Sequence, residues 1–350
     1  MTMFFASDNG GPVHPQIMQA IADANQGFAT AYGNDPVTEA ATRMVQEVFE
    51  APDALVRFVA TGTAANVLIL ATLTDPWQTV ICTPVSHIHA DECSAPEFFT
   101  NGAKLILSEE RHGKMTPEGL QRTIAGLGRR GIHVPQRGHM SITQVTEMGT
   151  VYSLDELSAL SRVARDHGLK VHMDGARFAN ACAALGCSPA EMTWKAGIDA
   201  VSFGGTKNGC MAVEAAVIFN PEAAREFDLR RKRGAHLFSK HRYLAAQMQG
   251  YLEGGLWLDL AQTANARTEQ LARGLQGAGV DFVEEPQANM IFARMPRAEH
   301  QRLMSGGALY YVEDGDVANG PGDEVLTGRL VCDWSITEED IDRFLQLVTG

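Results

Sequence analysis

Between residues 55 and 219, short apolar runs alternate with helical segments, and that alternation leaves few architectures open. Leu55-Val56-Arg57-Phe58-Val59 reads as a strand followed by a helix through Ala64 to Leu73. Thr79–Cys82, Ala103–Leu107, Met140–Val145, Lys170–Asp174, Asp199–Phe203 and Ala215–Phe219 read as further strands. Leu154–Gly168 reads as a helix closed by glycine. Strands separated by helices cross over and pair in parallel, so the expected class is α/β with a mostly parallel sheet. Upstream, His14–Ala24 and Thr38–Glu50 carry apolar residues at helical spacing. Beyond Pro221 the pattern becomes helical from Glu222 to Leu275, then shifts to a smaller α+β segment. Strands are expected there near Met290–Ala293 and Arg329–Cys332. The expected division is an N-terminal arm and large domain over residues 1–235, and a small C-terminal domain over 236–350.

In an open parallel sheet, ligands bind beyond the carboxyl ends of the strands, so the polar residues there carry the information. Thr61-Gly62-Thr63-Ala64-Ala65-Asn66 joins a strand to a helix. Small residues let backbone N–H groups approach an anion, and the helix N-terminus adds partial positive charge. The same pattern serves an ordinary capped glycine turn, and no GxxxxGK sequence supports an ATP loop. Val171-His172-Met173-Asp174-Gly175-Ala176-Arg177 ends a strand in a carboxylate. Such a carboxylate can pair with a protonated pyridine nitrogen and keep the ring an electron sink; it can equally cap a helix. Gly204-Gly205-Thr206-Lys207-Asn208 follows the next strand, and burial there would favour the neutral, nucleophilic amine of Lys207. Asp174 and Lys207 stand one βαβ-sized step apart, downstream of the anion cup. Together they point to pyridoxal 5'-phosphate (PLP). After the second strand comes Ser86-His87-Ile88-His89. His87 can stack on a flat cofactor and move a proton, or be a structural histidine. The HxH pair also suits a metal, but no third ligand has a compelling position, and no metal is expected.

The net charge is −13. An acidic surface argues against nucleic acid and anionic membrane as partners. The six cysteines form no CxxC pair, which suits thiols in a reducing compartment. No signal-like leader and no span-length apolar run stands out, so a cytoplasmic protein is expected.

With these residues go Ser7-Asp8 and Tyr32-Gly33-Asn34-Asp35-Pro36. The whole set resembles the low-specificity L-threonine aldolases, fold-type I PLP enzymes of the β-eliminating lyase and aldolase group. The resemblance runs along nearly the whole chain. It implies an aspartate-aminotransferase-like large domain and a smaller C-terminal domain. It implies retro-aldol cleavage of L-threonine, L-allo-threonine and related β-hydroxy-α-amino acids to glycine and an aldehyde, through a Lys207 aldimine and a glycine quinonoid. In it Asp174 binds the pyridine nitrogen, Gly62 and Thr63 hold the phosphate, and His87 stacks on the ring. Arg177 lies near the cofactor and the substrate carboxylate, and Ser7 and Arg329 match carboxylate binders. Tyr32 and Asp35 match a loop that approaches the site, often across a subunit interface. Arg231 and Lys232 match a helix that reaches a neighbouring subunit's phosphate in a homotetramer.

One departure stands out. Where the family often has Thr-His-Asn after the fourth strand, this chain has Val145-Thr146-Glu147-Met148. A second active-site histidine is therefore absent and Glu147 stands in about its place. His87, Glu147 or a water could take the hydroxyl proton. The competing readings are another fold-type I PLP enzyme, either a β-eliminating lyase or an aminotransferase, and a non-catalytic nucleotide-binding scaffold.

Overall fold

A computed structural model describes residues 2–127 and 130–350. The apolar runs form a seven-stranded sheet. Its strands in chain order are β1 (Leu55–Val59), β2 (Gln78–Cys82), β3 (Lys104–Leu107), β4 (Gln136–Thr143), β5 (Val171–Gly175), β6 (Ala200–Gly204) and β7 (Glu214–Ile218). In space they run β1-β7-β6-β5-β4-β2-β3. All neighbours are parallel except β7, which is antiparallel to both β1 and β6. Every residue of β5, β6 and β7 is buried, as expected of strands covered on both faces.

Local sequence accounts for most element boundaries. Asp35 caps helix Pro36–Val48 by accepting from the backbone N of Thr38 at 2.9 Å, and proline fills the first helical position. β4 starts earlier than its apolar residues suggest, at Gln136, because Gly138 lets it lie directly against Thr79 of β2. The helical stretch after Pro221 is three helices, Ala224–Arg233, Arg242–Leu252 and Leu256–Gly277. The last two are separated by Gly254 and Gly255, whose φ values of 67° and 80° end a helix.

Four apolar clusters result among the described residues, two of them large. The larger lies on the seven-stranded sheet and takes in Phe49, Phe178, Phe203, Tyr251 and Trp257, so helix Arg242–Leu252 and the start of the next pack there. The smaller lies on a four-stranded antiparallel sheet, Asp281–Phe282, Met290–Pro296, Val325–Val331 and Tyr311–Val312 in spatial order. The N-terminal arm belongs to this second core. Met3–Phe4 pairs with Ala308–Leu309, and Phe5 packs edge-on to Phe344 at 5.2 Å. The arm then passes beside the ends of β5 and β6, carrying Asp8 to Arg177.

No side chain separates β5 from β6 at their carboxyl ends. A Cβ on Gly175 would lie 2.5 Å from the carbonyl oxygen of Ser202, and one on Gly204 would lie 2.5 Å from that of Ala176. Backbone atoms cannot yield as a flexible side chain would, so Gly175→Ala should cost about 1–3 kcal/mol of stability. It should also weaken cofactor binding at least about tenfold by prising Asp174 from Lys207. Thermal unfolding and a cofactor titration would measure both, and an unchanged titration would contradict this reading of the contact.

Candidate active site

The carboxyl ends of the strands surround a cavity of about 250 Å³. Gly62, Thr63, His87, Glu147, Asp174, Arg177 and Lys207 all line it. These come from the segments after five different strands and, for Asp174, from β5 itself, so the sheet, not local sequence, brings them together.

Lys207 lies in the short helical turn Thr206–Asn208 after β6. The turn is tied to β7, because Gly205 N donates to the Glu214 carboxylate at 2.9 Å. Burial, with the Arg177 charge next, lowers the pKa of the Lys207 ammonium and favours the free amine. Burial likewise lifts the Glu214 carboxyl to about 7.

Asp174 is buried, accepting from Ala176 N at 3.0 Å and from Asn66 Nδ2 at 2.8 Å. Asn66 comes from helix Gly62–Leu73, and its amide orientation is fixed by its partners. Its oxygen accepts from Ser202 Oγ at 2.8 Å, and its NH₂ faces two carboxylates. The second is Glu92, whose Oε1 accepts from Asn66 at 3.0 Å and meets His87 Nδ1 at 2.9 Å. The Glu92 side chain is wholly buried, and burial raises its pKa against the pull of His87 and Asn66. The hydrogen bond to Glu92 in turn raises the pKa of His87, outweighing burial.

Glu147 follows β4. Its Oε1 accepts from His87 N and from Thr143 Oγ, each at 2.7 Å. Its Oε2 is buried without a hydrogen-bond partner, and burial carries the carboxyl to about 7.

At the anion cup, Thr61 caps helix Gly62–Leu73 by accepting from Ala64 N at 3.1 Å. The N–H groups of Gly62 and Thr63 lie in the first turn, where a helix provides them no internal acceptor. A Cβ on Gly62 would meet no protein atom within 4 Å, so the turn faces open space. The cavity fits PLP: an amine at one wall, a buried carboxylate, an imidazole, and an anion cup at a helix start.

Arg177 is held by Asp8 through two bonds, at 2.6 and 2.9 Å, and Asn289 donates to the same carboxylate at 3.1 Å. Arg329, on strand Val325–Val331, lies within electrostatic reach of both; burial, then Arg177, pushes its pKa down.

Arg329 lies outside the cavity lining, as do the remaining expected site residues. Ser7 caps the Asp8–Gly10 turn by accepting from Asn9 N. Asp35 is the helix cap described above. Tyr32 is exposed at φ 62°, with the Lys232 ammonium 4.8 Å from its ring centre. Arg231 is buried and paired with Asp228 at 3.1 Å. His89 is exposed, so the HxH pair does not converge on one ligand. His87, Glu92 and Asp174 do bring ligand atoms within 4.8 Å of one another, but the two amide hydrogens of Asn66 already join the carboxylates. Asn66, Glu92, Glu214 and Asp8 received no role from the sequence. Asp8 and Asn66 stood inside motifs already noted, and their polarity in otherwise small or apolar surroundings was the available signal.

A family described as "Beta-eliminating lyase" matches residues 5–298. A low specificity L-threonine aldolase of Pseudomonas aeruginosa is 42% identical over 99% of this chain and 96% of its own. One from a Pseudomonas sp. is 43% identical over 96% of this chain and 93% of its own. The solved threonine aldolase of Leishmania major superposes with a TM-score of 0.91 at 26% identity, over 99% of this chain and 98% of its own.

The Asp8–Arg177 pair gives a stability test. Burial raises the Asp8 carboxyl, but Arg177 and Lys207 together outweigh it, so its net pKa is lowered. Asp8→Asn leaves the Arg177 cation without its charge partner and should cost about 3–5 kcal/mol. A carboxyl depressed on folding stabilises above its unfolded pKa, near about 3.9, and that contribution is lost as pH falls through the lower folded value. The gap between wild type and variant in urea midpoint should therefore be full at neutral pH and close below about pH 4.

Proposed function

The chain belongs to the β-eliminating lyase family, and on that premise we propose that it is a PLP-dependent L-threonine aldolase. It cleaves L-threonine, L-allo-threonine and related β-hydroxy-α-amino acids to glycine and an aldehyde. The observation that carries the reading is the meeting of Lys207, Asp174 and His87 with the Gly62–Thr63 turn in one cavity. Lys207 would hold the cofactor aldehyde carbon, Asp174 the ring nitrogen, Gly62 and Thr63 the phosphate, and His87 a face of the ring. The bound cofactor supplies an electron sink for the substrate's Cα.

The chain's own residues supply orientation and proton transfer. Arg177 and Arg329 would bind the substrate carboxylate. Asp8 pairs directly with Arg177, while Arg329 feels the carboxylates of Glu313 and Asp8 only at longer range. A carboxylate fixed there decides which Cα bond stands perpendicular to the cofactor ring. Glu147 would take the proton of the β-hydroxyl. Its Oε1 is anchored by two donors, its Oε2 has no partner, and its pKa near 7 matches a base working at neutral pH. Among the described residues no helix is long and apolar enough to cross a membrane. Six unpaired cysteines suit a reducing cytoplasm. The working assembly would be a homotetramer, in which the Tyr32 loop and Lys232 lie at a subunit interface.

Lys207→Ala should abolish turnover and the borohydride-sensitive absorbance of the bound cofactor; turnover at the wild-type rate would refute the assignment. Glu147→Gln should slow cleavage of threonine about 10²–10³-fold. It should leave exchange of the glycine α-proton with solvent nearly intact, because that reaction involves no β-hydroxyl. A base must be deprotonated, so wild-type kcat/KM should rise with pH through about 7 and then level. The Gln variant should lose that limb. Equal losses in cleavage and exchange would remove Glu147 from the role.

A further inference from the structure

Glu92 is wholly buried, yet it touches neither the anion cup nor the lysine turn. Its Oε1 collects two contacts, Asn66 Nδ2 at 3.0 Å and His87 Nδ1 at 2.9 Å, while its Oε2 is buried with none. The asymmetry matters for the proton. With the Asn66 N–H already directed at Oε1, any proton that Glu92 takes belongs on Oε2, and Oε1 is left to accept. His87 Nδ1 must then be the donor. His87 is open to the cavity on its other side, with 36% of its side chain exposed. Its second nitrogen, Nε2, is the one available to a ligand.

The clamp extends further. Asn66 gives its second N–H to Asp174, and Ser202 Oγ, which accepts from Gly175 N at 3.1 Å, holds the Asn66 oxygen. One amide therefore sets the distance between the carboxylate meant for the ring nitrogen and the carboxylate that grips the stacking histidine. Glu147 holds the same histidine from its backbone N. We infer that Glu92, clamped by Asn66, is a positioning residue that fixes the ring plane of His87 and its Nδ1–H tautomer, so that Nε2 is the nitrogen offered to cofactor and substrate. The arrangement is the carboxylate–imidazole pairing by which a neighbouring group sets ring orientation and basicity. The inference rests on the proposed function only in naming what Nε2 meets.

The groups facing His87 are Glu92, Asp174 and Lys207, with Glu147 on its main chain. The Glu92 hydrogen bond raises the histidine's pKa, so removing its charge lowers the titration midpoint.

The test is ¹⁵N NMR of histidine-labelled holoenzyme, with His87→Phe identifying the resonances. In wild type, Nδ1 should carry the proton across the titration and Nε2 should titrate. Glu92→Gln keeps an acceptor oxygen but no charge. It should keep the Nδ1–H tautomer, lower the midpoint by about one pH unit, and hold kcat within about tenfold of wild type. Glu92→Leu removes the acceptor. It should lose the tautomer preference and lower kcat about 10–100-fold. Identical tautomer and midpoint in wild type and Gln variant would overturn the inference, and that comparison stands even if the Leu variant does not fold. The NMR signals do not depend on which substrate is cleaved. A failure of the aldolase reading, seen in product analysis, would leave them unchanged.

Discussion

Two strands have to end side by side with nothing between them before any of the chemistry can exist. β5 carries Asp174 and β6 leads into Lys207, and Gly175 and Gly204 let their backbones close to contact. With the carboxylate on one strand and the amine just past the next, an aromatic cofactor can touch both at once. The remaining elements then have fixed tasks. Helix Gly62–Leu73 aims its first turn at the same opening, and β7 grips the lysine turn through Glu214. The N-terminal arm neutralises Arg177. The antiparallel run of β7 serves this arrangement, because it brings Glu214, the first residue of the strand, back to the end of β6.

What could be read from the sequence was whatever is encoded locally. Each of the seven strands holds a short run rich in apolar residues, though β4 begins ahead of its own, and Asp174, Lys207 and the Gly62–Thr63 turn each sit at the end of one. Asp35 shows the converse. Asp-Pro before a helical run is a capping signal that local chemistry explains fully, and the side chain spends its carboxylate on Thr38. A functional role for it within one chain competes with that cap. The relations that complete the site are distant in sequence: Asn66 with Glu92 and Asp174, Arg177 with Asp8, Gly205 with Glu214 across a reversal of strand direction. Periodicity carries no information on such pairs. Glu92 in particular stands between exposed residues, Asp91 and Cys93, and only the fold turns it inward.

The cavity and its walls are rich in acids for their size, and burial sorts them. Asp8 is kept ionised by an arginine on one side and Lys207 nearby. Glu147 and Glu214 have no arginine partner, and burial lifts both to about 7. Glu92 is lifted by burial and held back by His87 and Asn66. The same residue type is thus set to permanent charge or to a proton that can come and go, according to what surrounds it. Lys207 meets the same burial from the opposite sign and loses its proton more readily.

This sorting also bears on the role proposed for Glu147 as a base. A base at neutral pH needs a pKa near 7, which imidazole has unaided and a carboxyl gains only by losing water. Glu147 meets the condition because its Oε2 is buried unpartnered, at an energetic cost that a stable fold can bear at a working site. Its Oε1 is spent on His87 N and Thr143, so the side chain has one free oxygen and little freedom to turn. An imidazole there would offer a single nitrogen of either role. The carboxylate offers only an acceptor, which suits a group that must take a hydroxyl proton and argues against its donating one first. On the other wall His87 has its Nδ1 committed to Glu92 and its ring partly open to the cavity, so the two side chains present different atoms to a ligand.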